Sequence, residues 1–93
     1  MAEIVFARRA SADLQRLRAW LAEKDADAGE RAAEAIVARI MRLRAFPKLG
    51  PLKLAPDARE LRVPFGRYGY VVRYVLRDDV VVVTRIFHGR EDR

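Results

Sequence analysis

Across the segment PKLGPLKLAPD, residues 47–57, the spacing of apolar residues changes period, and that change dictates the kind of fold this chain can adopt. Before it, Leu14, Leu17 and Leu21 recur at helical spacing with Trp20 beside them, and Ala33, Ile36, Val37, Ile40 and Leu43 form a second stripe. After it, RELRV, YGYVVRYVLR and VVVVTRIF alternate with a period of two and are separated by short turns at Pro64 and at Asp78-Asp79. Helices of the first kind bury one stripe, strands of the second bury one pleated face, and the two surfaces suit each other as layers.

The local signals set the boundaries. EIVF, Glu3 to Phe6, reads as a short opening strand. Ser11 can cap a first helix running roughly from Ala12 to Lys24, with Asp13 in its first turn, until KDADAG interrupts the pattern. Asp27 with Glu30 three residues on resembles a capping box, Asp standing for the usual Ser or Thr, and starts a second helix that runs to about Ala45. Pro47 disfavours helical geometry at Phe46 and ends it. The expected architecture is α+β, in the order β-α-α-β-β-β: an antiparallel sheet packed against a helical hairpin, residues 1–93 forming a single domain with no internal repeat.

Composition narrows the chemistry. The chain has no cysteine and one histidine, which leaves no thiolate chemistry and no zinc site, and no metal or cofactor is expected. The run AAEAIVARIMRL is interrupted by Glu34, Arg39 and Arg42, and the N-terminus lacks an apolar core behind a basic start, so neither a membrane span nor a signal peptide is expected and the setting is a reducing cytoplasm. A net charge of +6, with 19 Lys plus Arg of which only Lys24, Lys48 and Lys53 are lysines, points to an acidic partner bound through forked guanidinium contacts; a GC-rich coding sequence would produce the same bias.

Arg62, Arg73 and Arg85 each interrupt an apolar strand, in the patterns Val71-Arg73-Val75 and Val83-Arg85-Phe87. Either a suitable register brings them to one sheet face as a shared site, or each lies on the solvent side past its apolar neighbours. Tyr68, Tyr70 and Tyr74 read as core packing or as stacking platforms for bases. Gly66 and Gly69 flank Arg67 with no helix following, which is not a phosphate loop. His88 either caps the last strand or moves protons.

The order of these elements, together with RLRAFPKLGP, RELRVPFGRYGYVVRYVL and VVVVTRIFHGRED, resembles the RelE/ParE superfamily of toxins from bacterial type II toxin–antitoxin modules over nearly the whole chain, and the ParE branch most closely. The resemblance implies one of two activities. ParE-type toxins bind and poison DNA gyrase without a recognised reaction of their own, which would make His88, Gly89, Arg90, Arg85, Arg73 and Arg62 a target-binding surface and leave no catalytic residue. RelE-type toxins cut messenger RNA on the ribosome, which would give His88, Arg73 and Arg85 catalytic roles; against this the chain lacks the C-terminal tyrosine many of them carry. A non-toxic basic interaction module is the third expectation. The resemblance also implies a ParD-like antitoxin in a hetero-oligomer, with Leu14, Leu17, Trp20, Leu21, Ile36 and Ile40 as its apolar contacts, and His88 to Arg93 as an exposed tip.

Overall fold

The computed structural model describes residues 1–53 and 55–91; Leu54 and the last two residues of the expected tip, Asp92 and Arg93, lie outside them. The elements are β1 (Glu3–Phe6), α1 (Arg8–Lys24), α2 (Ala26–Met41) with a 3-10 turn at Arg42–Arg44, β2 (Ala58–Val63), β3 (Tyr70–Arg77) and β4 (Val80–His88). The α+β order is therefore the one the periods predict. The sheet runs β1-β4-β3-β2: the last three strands form the antiparallel meander, and β1 lies parallel to β4 at the edge. A parallel neighbour needs a long connection, and between β1 and β4 the chain runs through the helical hairpin to β2 at the far edge and back through β3.

Both helix starts differ from the sequence expectation. Ala7 is held extended because its N–H donates to Val83 O at 2.9 Å, and α1 begins at once with Arg8, so Ser11 is already helical and donates its N–H to Ala7 O. Asp13 moves from the first turn to the buried face. At α2 the cap is Asp25, whose carboxylate accepts from the N–H groups of Asp27 and Ala28 at 3.1 and 3.3 Å, in place of an Asp27–Glu30 box. Glu30 instead takes the Arg18 guanidinium across the hairpin, Nε to Oε1 2.7 Å. The hairpin closes tightly at Gly29, where a Cβ would stand 2.8 Å from the Arg18 carbonyl oxygen.

One core cluster joins Ala10 and Leu17 of α1, Ala32, Ile36 and Ile40 of α2 and Leu43 of the 3-10 turn to Leu61, Val63, Tyr70, Val72, Tyr74, Val81, Val83 and Ile86 of the sheet. Each fully buried Ile or Leu there contributes about 1.5–3 kcal/mol of transfer free energy. Tyr74 ties the proline-rich loop to this core: its hydroxyl donates to Pro47 O at 2.8 Å and accepts from Gly50 N–H at 2.9 Å. The β3–β4 ladder contains a bulge. Arg73 pairs with Arg85 but Tyr74 pairs with Val83, so Thr84 is extra and donates its hydroxyl to Arg73 O at 3.1 Å. The bulge reverses the phase of β4, placing Val83 in the core and Arg85 and Phe87 on the opposite face. The alternation Val83-Arg85-Phe87, continuous in the sequence, is thus broken in space.

Candidate functional site

The far ends of β3 and β4 present two surfaces. On the face turned away from the core, Glu60, Arg73 and Arg85 stand in register across β2, β3 and β4, with Arg62, Val71 and Phe87 in the adjoining row. The three sequence-predicted arginines do share a face. Arg73, however, donates to Glu60 Oε2 from Nη2 at 2.8 Å and from Nε at 3.3 Å. Arg85 donates to Asp13 from Nε at 2.8 Å and Nη2 at 3.2 Å. The two guanidinium carbons lie 5.2 and 4.7 Å from the Phe87 ring centre, and Phe87 is 6% exposed beneath them. Arg62 remains exposed.

Asp13 was not among the candidate residues, and it organises this end of the sheet. β1 stops pairing with β4 at Val83, so the N–H of Ile86 would face an empty edge; Asp13 Oδ2 accepts it at 2.9 Å while holding Arg85. Burial alone would raise the Asp13 pKa, but the hydrogen bonds from Arg85 and Ile86 and the charges of Arg85 and Arg16 outweigh it and hold the carboxyl below its ordinary value. The signal in the sequence was a carboxylate on the apolar stripe Ala10-Asp13-Leu17.

His88 lies on the other face. Its partner across the ladder is Tyr70, a core residue, and its ring meets Tyr70, Trp20 and Tyr68 at centroid distances of 5.5, 5.9 and 6.0 Å. Burial raises the Tyr70 pKa. The His88 Nδ1 accepts the Arg90 N–H at 3.2 Å, so the ring does serve as a backbone cap. Around these rings opens a groove of about 500 Å³, lined by Trp20, Leu21, Phe65, Tyr68, Tyr70 and His88, with Lys24, Arg67 and Arg90 at its margin.

The expected free tip is instead folded back through Glu91. The Glu91 carboxylate accepts the His88 N–H at 3.0 Å and both terminal nitrogens of Arg16 at 3.2 and 3.3 Å. Gly89 donates to Gly69 O at 2.8 Å and has no room for a side chain, since a Cβ would stand 2.1 Å from Tyr68 O. His88 and Gly89 are half-buried, and only Arg90 of the tip candidates is exposed. Of the six apolar residues expected to meet an antitoxin, Leu17, Ile36 and Ile40 face the sheet and are at most 3% exposed, which removes them as surface contacts. Trp20 is 48% exposed, and Leu14 and Leu21 are partly so. Among the described residues no cluster of three His, Asp or Glu side chains is arranged to hold a metal ion, and no helix is long and apolar enough to cross a membrane.

The chain is 41% identical over 85 residues to Toxin RelE1 of Caulobacter vibrioides, covering 91% of this chain and 90% of that protein. It is 39% identical over 93 residues to Toxin RelE3 of the same organism, over the full length of both. Two solved structures share its fold at 20% identity: the chromosomal ParDE system of P. aeruginosa, with a TM-score of 0.81 over 95% of this chain and 96% of that one, and the intact E. coli RelBE toxin–antitoxin complex, with a TM-score of 0.71 over the whole of both. Residues 4–93 match the family model described as the ParE toxin of the parDE type II toxin–antitoxin system. With nearly every residue inside that match, the chain belongs to the ParE toxin family of type II toxin–antitoxin systems, within the RelE/ParE superfamily.

Proposed function

We propose that this toxin acts by binding rather than by cutting, that its target is DNA gyrase, and that a ParD-like antitoxin neutralises it in the cytoplasm as a hetero-oligomer. The observation that carries binding over cutting is the separation of His88 from Arg73 and Arg85, the arginines to which the RelE-type reading gives catalytic roles. A 2′-hydroxyl attack requires a proton-transfer group and phosphate-holding cations around one point. Here His88 stands on the core face, while Arg73 and Arg85 stand on the opposite face with their guanidinium groups committed to Glu60 and Asp13. Arg62, Arg73, Arg85, His88, Gly89 and Arg90 serve in this reading as contact and positioning residues. Gyrase as the target rests on the ParE family match.

The antitoxin reading draws on the exposed Trp20 and the partly exposed Leu14 and Leu21 beside a basic surface, which suit an acidic amphipathic segment that folds on binding. The RelBE structure that shares this fold is itself a toxin–antitoxin complex.

Ribosome-dependent cleavage of messenger RNA is the second reading, favoured by the names of the two Caulobacter relatives. One experiment separates the two. The purified toxin is added to a gyrase supercoiling reaction and, in parallel, to a translation reaction in which messenger RNA ends are mapped. Inhibited supercoiling with intact messenger RNA is expected. Messenger RNA cut at ribosomes, abolished by His88→Ala, would transfer the assignment to the RelE-type activity, since a general acid or base contributes about 10²- to 10⁴-fold.

A further inference from the structure

The two edges of the sheet are finished differently. At β2 the proline-rich loop and α2 close the edge: Glu60 N–H donates to Pro51 O at 3.0 Å, Lys53 N–H to Ala58 O at 2.8 Å, and Arg39 Nε to Arg62 O at 3.1 Å. At β1 the edge is open. Glu3 and Ala7 donate inward to Asp79 O and Val83 O, both at 2.9 Å, so the alternate residues Ile4 and Phe6 turn their N–H and C=O groups outward, unpaired among the described residues. The strand is short but carries no lysine, proline or bulge to blunt that edge. Beside it a groove of about 470 Å³ is lined by Ile4, Phe6 and Met41, and Val5 and Met41 are 41% and 40% exposed. From this arrangement we infer that β1 is the pairing edge for a second copy of this chain, joined antiparallel about a two-fold axis at Val5.

The charges along the edge select the occupant. Glu3, Arg8 and Arg9 are exposed, and none of them has an ion-pair partner among the described residues. The acid stands before the apolar Ile4-Val5-Phe6 and the bases stand after it, an order that an antiparallel copy complements at both ends. With Val5 opposite its own equivalent, Ile4 of each copy exchanges both backbone hydrogen bonds with Phe6 of the other, and Glu3 comes opposite Ala7, beside the other copy's Arg8 and Arg9. A segment of a single charge sign would meet a like charge at one end. The axis stands normal to the sheet, so the two four-stranded sheets become one, with both helical hairpins on the same side. This surface shares no residue with the aromatic groove or the arginine row, and the inference is independent of whether the toxin acts on gyrase or on messenger RNA.

The test is sedimentation equilibrium of the full chain without antitoxin, at 0.15 M salt, where the +6 charge of each copy is screened beyond about 8 Å. The mass should rise with concentration from that of one chain to that of two. Over the same range the Ile4 and Phe6 amides should exchange more slowly, while the Val5 amide, which faces β4, should not change. Val5→Lys puts like charges opposite each other at the axis and should leave only the single chain. Glu3→Arg, at an exposed position, should weaken pairing about 2- to 30-fold, the worth of two exposed ion pairs. Arg8→Glu with Arg9→Glu should weaken it too, and the three changes together should restore it. Four results would overturn the inference: the mass of one chain at every concentration up to about 1 mM; a dimer indifferent to Val5→Lys, which pairs through another surface; charge reversals that do not compensate, which rules out this register; or Ile4 and Phe6 protected only when a ParD-like antitoxin is added, which gives the edge to the antitoxin.

Discussion

The two faces of the sheet end carry the same residue type in opposite states. On the outer face Arg73 and Arg85 are about three-quarters buried and each holds a carboxylate, so that Glu60, Arg73, Phe87, Arg85 and Asp13 form a continuous series of charge and ring contacts. On the groove face Lys24, Arg67 and Arg90 project over rings with no carboxylate partner among the described residues. A buried cation needs its partner to offset desolvation, whereas an exposed one keeps its water and can exchange it for a ligand. The outer arginines therefore hold the strand ends together, and the groove cations are available for recognition. Counting arginines says nothing about which is which.

Substitutions on the outer face should therefore hurt most. Removing Asp13 leaves the Arg85 guanidinium and the Ile86 N–H without their acceptor, so Asp13→Ala should cost about 3–5 kcal/mol in urea unfolding. Adding Arg85→Met should recover much of that loss. A cost under about 1 kcal/mol would break the contrast between the faces, because it is the size expected of an exposed pair. The same carboxylate gives a pH signature. Its folded-state pKa lies below the unfolded value of about 3.9, so its stabilisation is complete at neutral pH and is lost as pH falls below about 4 toward the folded value. Acid titration of Asp13→Ala should lack that component.

A smaller effect is expected on the groove side. Gly89→Ala forces a methyl against Tyr68 O and should cost about 1–3 kcal/mol while moving the turn away from β4, visible as a shift in Trp20 emission. An unchanged spectrum would mean that the turn does not shape the groove. The smallest effect belongs to the latch. Arg16 is 48% exposed in its side chain, so Arg16→Ala should change stability by only about 0.2–1 kcal/mol, yet it should speed hydrogen exchange at the His88 amide that Glu91 covers. Unaltered exchange would place the hold on the tip in Gly89 and the turn instead.

The strand and helix periods, the break at Pro47 and the lack of thiol chemistry could all be read along the chain, since each rests on residue identities or on neighbours a few positions apart. The family could be read the same way from ordered short motifs. What lay beyond reach depended on residues brought together from far apart. The cap at Asp25 in place of Asp27 is a small miss between nearby acidic residues, but the start of α1 at Arg8 follows from Ala7 bonding to Val83. The parallel seat of β1 on β4 left Ile86 with a bare edge and so gave Asp13, 73 residues away, its role. The single extra residue Thr84 turned Arg85 and Phe87 to the outer face and, with the unbroken alternation from Arg85 onward, His88 to the inner one. Periodicity is a local property that any window of the sequence displays; strand register, edge exposure and the pairing of charges exist only once distant strands are in place, and they decided which arginines pair with carboxylates and which lie exposed over rings.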